Sequence, residues 1–150
     1  AASNPRSLVV SKSKLKFNFE QLLKITKEQK ELVMHIFEGL KIWQNAQALA
    51  VDVYLRFKDN KDWGFRDQMQ RAVISISNNI AEGSEYNSDK YFIHYLKIAK
   101  GSCGEVRNMF YLCPQIGYCS QEEAKDYIER CKSLGKSIGA FIAFLENGQK

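Results

Sequence analysis

SDKYFIHYLKIAKGSCGEVRNMFYLC, residues 88–113, decides the fold. Phe92, Leu96, Ala99, Cys103, Val106, Phe110 and Cys113 recur at alternating spacings of three and four. That is one face of an α-helix, sustained for roughly six turns. Ser88 stands where an N-cap belongs, Pro114 should disturb the last turn, and Gly117 should end the segment.

The same period continues outward on both sides. Upstream, Met69, Ala72, Val73, Ile76 and Ile80 predict a helix over about 65–82, with Trp63-Gly64 as the break before it and Gly83 as its left-handed C′ residue. Before that, Ile42, Ala46, Leu49 and Val53 mark one stripe over about 40–57, and Trp43, Ala50, Tyr54 and Phe57 mark a second beside it. Lys41, Asn45, Asp52 and Arg56 share a narrow polar arc. The apolar arc exceeds the ~100° of a lone amphipathic helix, so this helix should be covered on two sides, one by the bundle and the other by a neighbouring subunit or the N-terminal segment. Downstream, Ser120 and Glu123 form a capping box. Ala124, Ile128, Cys131, Gly135, Ile138, Ile142 and Leu145 then run to the C-terminus. Gly135, Gly139 and Ala143 draw a line of small residues that predicts close helix packing. Nothing alternates with period two for long. The fold expected is all-α, an up-down-up-down four-helix bundle with short connections.

Residues 1–36 hold seven Lys/Arg against three Asp/Glu, whereas residues 37–150 hold fifteen against fourteen. The overall charge of +5 therefore belongs mostly to the N-terminal stretch. A short amphipathic helix through Leu22, Ile25, Leu32 and Val33 is conceivable there, without sustained periodicity. Residues 1–36 are expected to be an extension, non-native or disordered, and 37–150 the bundle domain. Lys30-Glu31 can be encoded by a purine-rich, ribosome-binding sequence just ahead of a Met34 codon, which makes Met34 a candidate start. No apolar run is long enough to span a membrane and no signal peptide is recognisable. Cys103, Cys113, Cys119 and Cys131 form no CxxC pair and read as free core thiols of a reducing, cytoplasmic compartment.

The residues give catalysis little to use. His35 and His94 are the only histidines. Paired Glu-x-x-His ligands, nucleophile-elbow, P-loop and dinucleotide patterns are missing. No catalytic residue, cofactor or metal is expected. Two other patterns stand out. Gln68, Arg71, Ser75, Asn78, Asn79 and Glu82 line one helix face with amides, hydroxyls and an arginine, groups suited to specific hydrogen bonds. Ser102 and Glu105, within GSCGE, offer a counterpart in which Glu105 should pair with Arg71. The face reads as a structural network, a partner site or a solvated surface. Gly101 and Gly104 in mid-helix each cost about 1 kcal/mol relative to alanine, which close approach of another backbone would offset. Lys90, His94, Lys97, Lys100 and Arg107 form a one-sided basic stripe, a candidate nucleic-acid surface. Lys125, Lys132 and Lys136 share a face with Glu129 and read as an ion-pair ladder.

FEGLKIWQNAQALAVDVY (37–54), QMQRAVISISNNIAEGS (68–84), FIHYLKIAKGSCGE (92–105) and IGY (116–118) together carry a resemblance. The chain resembles the four-helix-bundle family encoded in intervening sequences of bacterial 23S rRNA genes. It is also similar to the accessory proteins of diversity-generating retroelements. Gln70 departs from a position often basic in the family. The resemblance implies a bundle that assembles as a ring-shaped homo-oligomer, a pentamer. It also implies RNA or a nucleic-acid-processing protein as partner. Two functions follow as expectations: a non-enzymatic oligomeric scaffold or adaptor for protein or RNA, and a purely protein-binding assembly without a nucleic-acid role.

Overall fold

A computed structural model describes Thr26 and residues 36–148. The helix expected through Leu22, Ile25, Leu32 and Val33 lies outside the described residues, as do Met34 and His35. After a 3-10 turn at Phe37–Gly39 come four helices: α1 Lys41–Phe57, α2 Trp63–Ser84, α3 Asp89–Leu112 and α4 Gln121–Asn147. No strand occurs among the described residues. None of the described helices is long and apolar enough to cross a membrane.

The apolar stripes become the core. Ala46, Val53, Phe57, Met69, Val73, Ile76, Ile80, Leu96, Ala99, Val106, Phe110 and Ile138 are completely inaccessible. α3 packs broadly on α2 and on α4, α1 packs on α2, and α1 touches α4 along much less surface. An aromatic cluster ties all four helices together at one end. Phe57 of α1 meets Phe65 of α2 at 5.6 Å and Phe110 of α3 at 6.0 Å. Phe110 stacks on Tyr127 of α4 at 4.3 Å. Tyr118, between α3 and α4, sets its ring edge-on to Phe65 at 5.0 Å.

Helix ends follow local chemistry, with two departures from expectation. Trp63-Gly64 does not break the chain. It forms the first turn of α2, because the Asp62 carboxylate caps the helix by accepting from the Phe65 amide at 3.0 Å. Gly83 is not a C′ residue either. It is buried inside α2, and a Cβ there would lie 2.6 Å from Tyr95 Cβ and 3.0 Å from Phe92 Cδ2. The glycine lets α3 close on α2. The left-handed position in this connection goes to Asn87, at φ 48°, a residue type that tolerates it. Gly117 does take a positive φ, 76°. The Tyr118 amide then reaches back to the Cys113 carbonyl at 2.9 Å and closes the end of α3. Ser120 caps α4, accepting from the Glu123 amide at 3.1 Å. The Glu123 carboxylate itself goes mainly to Arg56.

Among the described residues α1 is covered mainly on its bundle side. Trp43 is half-buried edge-on to Phe37, and Ala50 and Phe57 are buried, but Tyr54 stays 45% exposed. Val51 and Leu55, facing away from the core, are 52% and 57% exposed. The expected polar arc is not simply solvated. Arg56 joins Glu123 and donates to the Tyr118 carbonyl at 2.8 Å, while Asp52 accepts from Arg130 at 2.7 Å. A groove of about 240 Å³ lies between α1 and α4, lined by Asn45, Ala48, Leu49, Arg130, Ser133 and Leu134, so that Arg130 of the second bridge is at its wall.

Candidate functional site

The polar stripe of α2 meets α3 at Gln68, Ser75 and Glu82, and the expected counterparts Ser102 and Glu105 lie opposite it. Gln68 donates to the Glu105 carboxylate. Ser75 and Ser102 share a hydroxyl–hydroxyl bond of 3.0 Å. The Asn79 amide donates to the Ser75 carbonyl at 2.7 Å and to its hydroxyl at 2.9 Å. Glu82 accepts from the Tyr95 hydroxyl at 2.9 Å. Tyr95 stacks on Tyr86, and Tyr86 on Tyr91, at 5.3 and 5.4 Å. Hydrogen bonds to Tyr86 and then to Glu82 hold the Tyr95 phenol protonated well above its ordinary range.

Arg71 takes no part. It pairs with Asp67 at 2.8 Å on its own helix, with the two side chains 75% and 60% exposed. The expected Arg71–Glu105 pair is therefore corrected to Gln68–Glu105. A residue four positions away on the same helix is always within reach, whereas the α2–α3 register places Gln68 opposite Glu105. Asn78 points to solvent. Every described buried polar side-chain atom finds a partner.

The basic stripe of α3 divides. Lys90 is exposed, and so is His94, whose ring sits edge-on to Tyr95 at 5.5 Å. Lys97 reaches Glu146 of α4 at 3.4 Å. Lys100 and Arg107 turn toward α4 and face Lys132 and Lys136 across a cleft of about 210 Å³. Cys103, Gly104, Cys131 and Gly135 complete its lining, and no carboxylate lines it. Lys132 pairs with Glu129 at 2.7 Å, while Lys100, Arg107 and Lys136 make no ion pair among the described residues. Of the expected ion-pair ladder, Lys132–Glu129 forms and Lys136 makes no ion pair among the described residues. The period of a single helix cannot reveal that two helices turn their cations toward each other.

The glycines behave differently from expectation. A Cβ at Gly101 or Gly104 would meet nothing within 4 Å. No backbone of the described residues closes on them, so none of the described residues offsets their helix-propensity cost. Gly135 lies against Cys103, 3.9 Å from its sulfur to a would-be Cβ, and Gly139 against Lys100 Nζ at 3.3 Å. The small-residue line of α4 thus packs on α3 at these two points, while Ala143 is exposed.

All four cysteines are free. Burial pushes the Cys113 thiol up to about 12 and raises Cys119 as well. Cys103 donates to the Cys131 carbonyl at 3.0 Å. A separate side-chain hydrogen bond from Cys131 lowers the Cys103 thiol, helped by the charge of Arg107, and the same bond raises Cys131. Among the described residues no group of three or more His, Cys, Asp or Glu converges as metal ligands do.

Four helices, a hydrogen-bonded seam between α2 and α3 and a cationic cleft between α3 and α4 define an all-α protein of the helical-bundle class. The model of the 23S rRNA-intervening sequence proteins matches residues 38–140, and the chain belongs to that family. Among solved structures it is similar to a protein of unknown function from the S23 ribosomal protein family of Bacteroides thetaiotaomicron VPI-5482. The TM-score is 0.63 at 22% identity, over 67% of this chain and 97% of that one. At that identity the likeness is one of fold. No curated protein matches the chain.

Proposed function

We propose that this chain is a non-enzymatic unit of a homo-oligomeric scaffold, a pentameric ring of up-down-up-down bundles that holds RNA in the cytoplasm. The observation that carries the reading is the outer face of α1. Ala48, Val51, Tyr54 and Leu55 lie exposed there at helical spacing, where a solitary bundle would place Lys and Glu. Contiguous apolar surface of this kind marks a contact face. The topology is supported by cross-helix bonds whose residue numbers run in opposite directions. Gln68–Glu105, Ser75–Ser102 and Glu82–Tyr95 join α2 to α3, and Asp52–Arg130 and Arg56–Glu123 join α1 to α4. Three of the four thiols support a non-catalytic role, and Cys103, the one that is lowered, is buried. Cys113, Cys119 and Cys131 are held protonated, the wrong state for a nucleophile.

RNA is the partner favoured by the exposed Lys90 and His94 and by Lys100 and Arg107, which make no ion pair among the described residues and whose charge a ring would repeat in register. The near balance of charge over residues 37–150 favours a second reading, an assembly that binds only protein. Native mass by light scattering on the full chain, with a salt-titrated RNA-binding assay on the same sample, separates them. A pentamer whose RNA affinity falls steeply with salt upholds the proposal. A pentamer indifferent to RNA moves it to the protein-binding reading. A stable monomer removes the scaffold.

A further inference from the structure

We infer that the cleft between α3 and α4 is a phosphate-binding site. It takes one phosphate group, carried by a nucleic-acid strand or by a free nucleotide. The inference deepens the reading above, and its nucleic-acid arm rests on that reading; its free-phosphate arm does not. Four cations, Lys100 and Arg107 from α3 and Lys132 and Lys136 from α4, line about 210 Å³ with no acidic side chain among them. Like charges repel, and an unliganded protein has no structural reason to gather four of them on facing helices. Only Lys132 has a carboxylate partner within the described chain. The Arg107 guanidinium supplies the planar donor fork that suits phosphate oxygens, and the lysines supply point charges around it.

The glycine at the lip is the second, independent observation. Gly104 lines the cleft, and a Cβ placed on it would enter open space. A mid-helix glycine that no neighbour requires lowers helix stability without return in the isolated molecule. In the cleft, the missing side chain leaves room for a phosphate and its ester oxygens to come down between the cations. The volume accommodates a phosphate group and excludes a whole nucleotide base pair, so the site recognises charge and not sequence.

The experiment uses the full chain and three probes: a labelled single-stranded oligouridylate, uridine 5′-monophosphate and inorganic phosphate. Four proteins are compared: the parent, Lys100→Gln/Lys136→Gln, the charge-matched control Lys61→Gln/Lys125→Gln, and Gly104→Ala. Light scattering checks that assembly is common to all four. Removal of the cleft lysines is expected to weaken oligouridylate binding about tenfold or more at moderate salt. The slope of log affinity against log salt should become shallower by roughly 0.7 for each phosphate that the cleft no longer neutralises. The control should change affinity by less than about threefold. Gly104→Ala is the test that bulk charge cannot mimic. It should raise the melting temperature and yet weaken binding, with the net charge unchanged.

Binding of phosphate and nucleotide at the cleft without oligouridylate binding would uphold the site, assign it to free phosphate, and sink the RNA reading. Equal weakening by the control and the cleft variant would overturn the site while leaving RNA binding intact. Full binding by Gly104→Ala would overturn the glycine argument and, with it, a phosphate seated in the cleft.

Discussion

Single residues carry more of the packing here than their types announce. Gly83 is the clearest case. Its Cα hydrogens face Tyr95 and Phe92 closely enough that one added methyl cannot fit without moving α3. Gly83→Ala should therefore destabilise by about 1–3 kcal/mol, despite alanine's higher helix propensity. A thermal melt showing equal or greater stability would mean that α2 and α3 do not approach as described. Arg71 is the opposite case, an exposed pair within one helix whose removal should stay within about 0.5 kcal/mol. Ser102→Ala removes the partner of a half-buried hydroxyl and should cost about 1 kcal/mol. Urea titration of the two variants side by side checks the ranking. The polar types along α2 were legible as hydrogen-bonding groups. Their partners were not, because Gln68 and Arg71 both look able to reach Glu105 until the α2–α3 register is known.

At the scale of elements, the helices are joined in two physically different ways. α1 closes on α2, α2 on α3 and α3 on α4 through apolar side chains, with a hydrogen-bonded seam added between α2 and α3, while α1 and α4 are bridged by Arg56–Glu123 and Arg130–Asp52. The Arg56 hydrogen bond holds the Glu123 carboxyl below its usual range. Asp62, which caps α2, is likewise lowered, first by the Phe65 amide and then by the Tyr118 hydroxyl. Both folded-state values lie below the unfolded ones. Their stabilisation is therefore fully present above the ordinary carboxylate values of roughly 4 and is lost as pH falls through the lowered ones. Melting temperature should be flat from neutrality to about pH 5 and drop below it. The drop should be shallower in an Arg56→Met/Tyr118→Phe variant, which starts less stable at neutral pH. Parallel curves for the two proteins would show that other carboxylates govern acid unfolding. Helix existence and core faces were readable from the 3-4 spacing. The use of Asp52 and Arg56 as bridges was not, since a charge on a helix looks the same whether it faces water or another helix.

For the whole molecule, the telling feature is apolar surface that the described residues leave uncovered. The Val51 and Leu55 face of α1 is expected to lie between copies of the chain. Val51→Glu/Leu55→Glu should then reduce the native mass toward that of a single chain, while the helical circular-dichroism signal persists. If the double variant keeps the parent's mass, the interface lies elsewhere. Exposed Ile98 and Leu112 of α3 offer the next face to test. The sequence predicted that α1 would be covered on a second side. In the structure that cover is partial, with Phe37 against Trp43 and nothing of the described chain burying Val51 or Leu55.

The amino-acid sequence by itself determined four helices, their core faces and the family, because each depends on local periodicity or on a string of words such as NIAEG and IAKGS. Tertiary structure alone decided which polar groups meet. It set Gln68 against Glu105, took Gly83 out of the turn and into a helix contact, and gathered Lys100, Arg107, Lys132 and Lys136 around one cleft. Those outcomes depend on the register and rotation of one helix against another. The packing of the whole core sets both, and no window of sequence contains them.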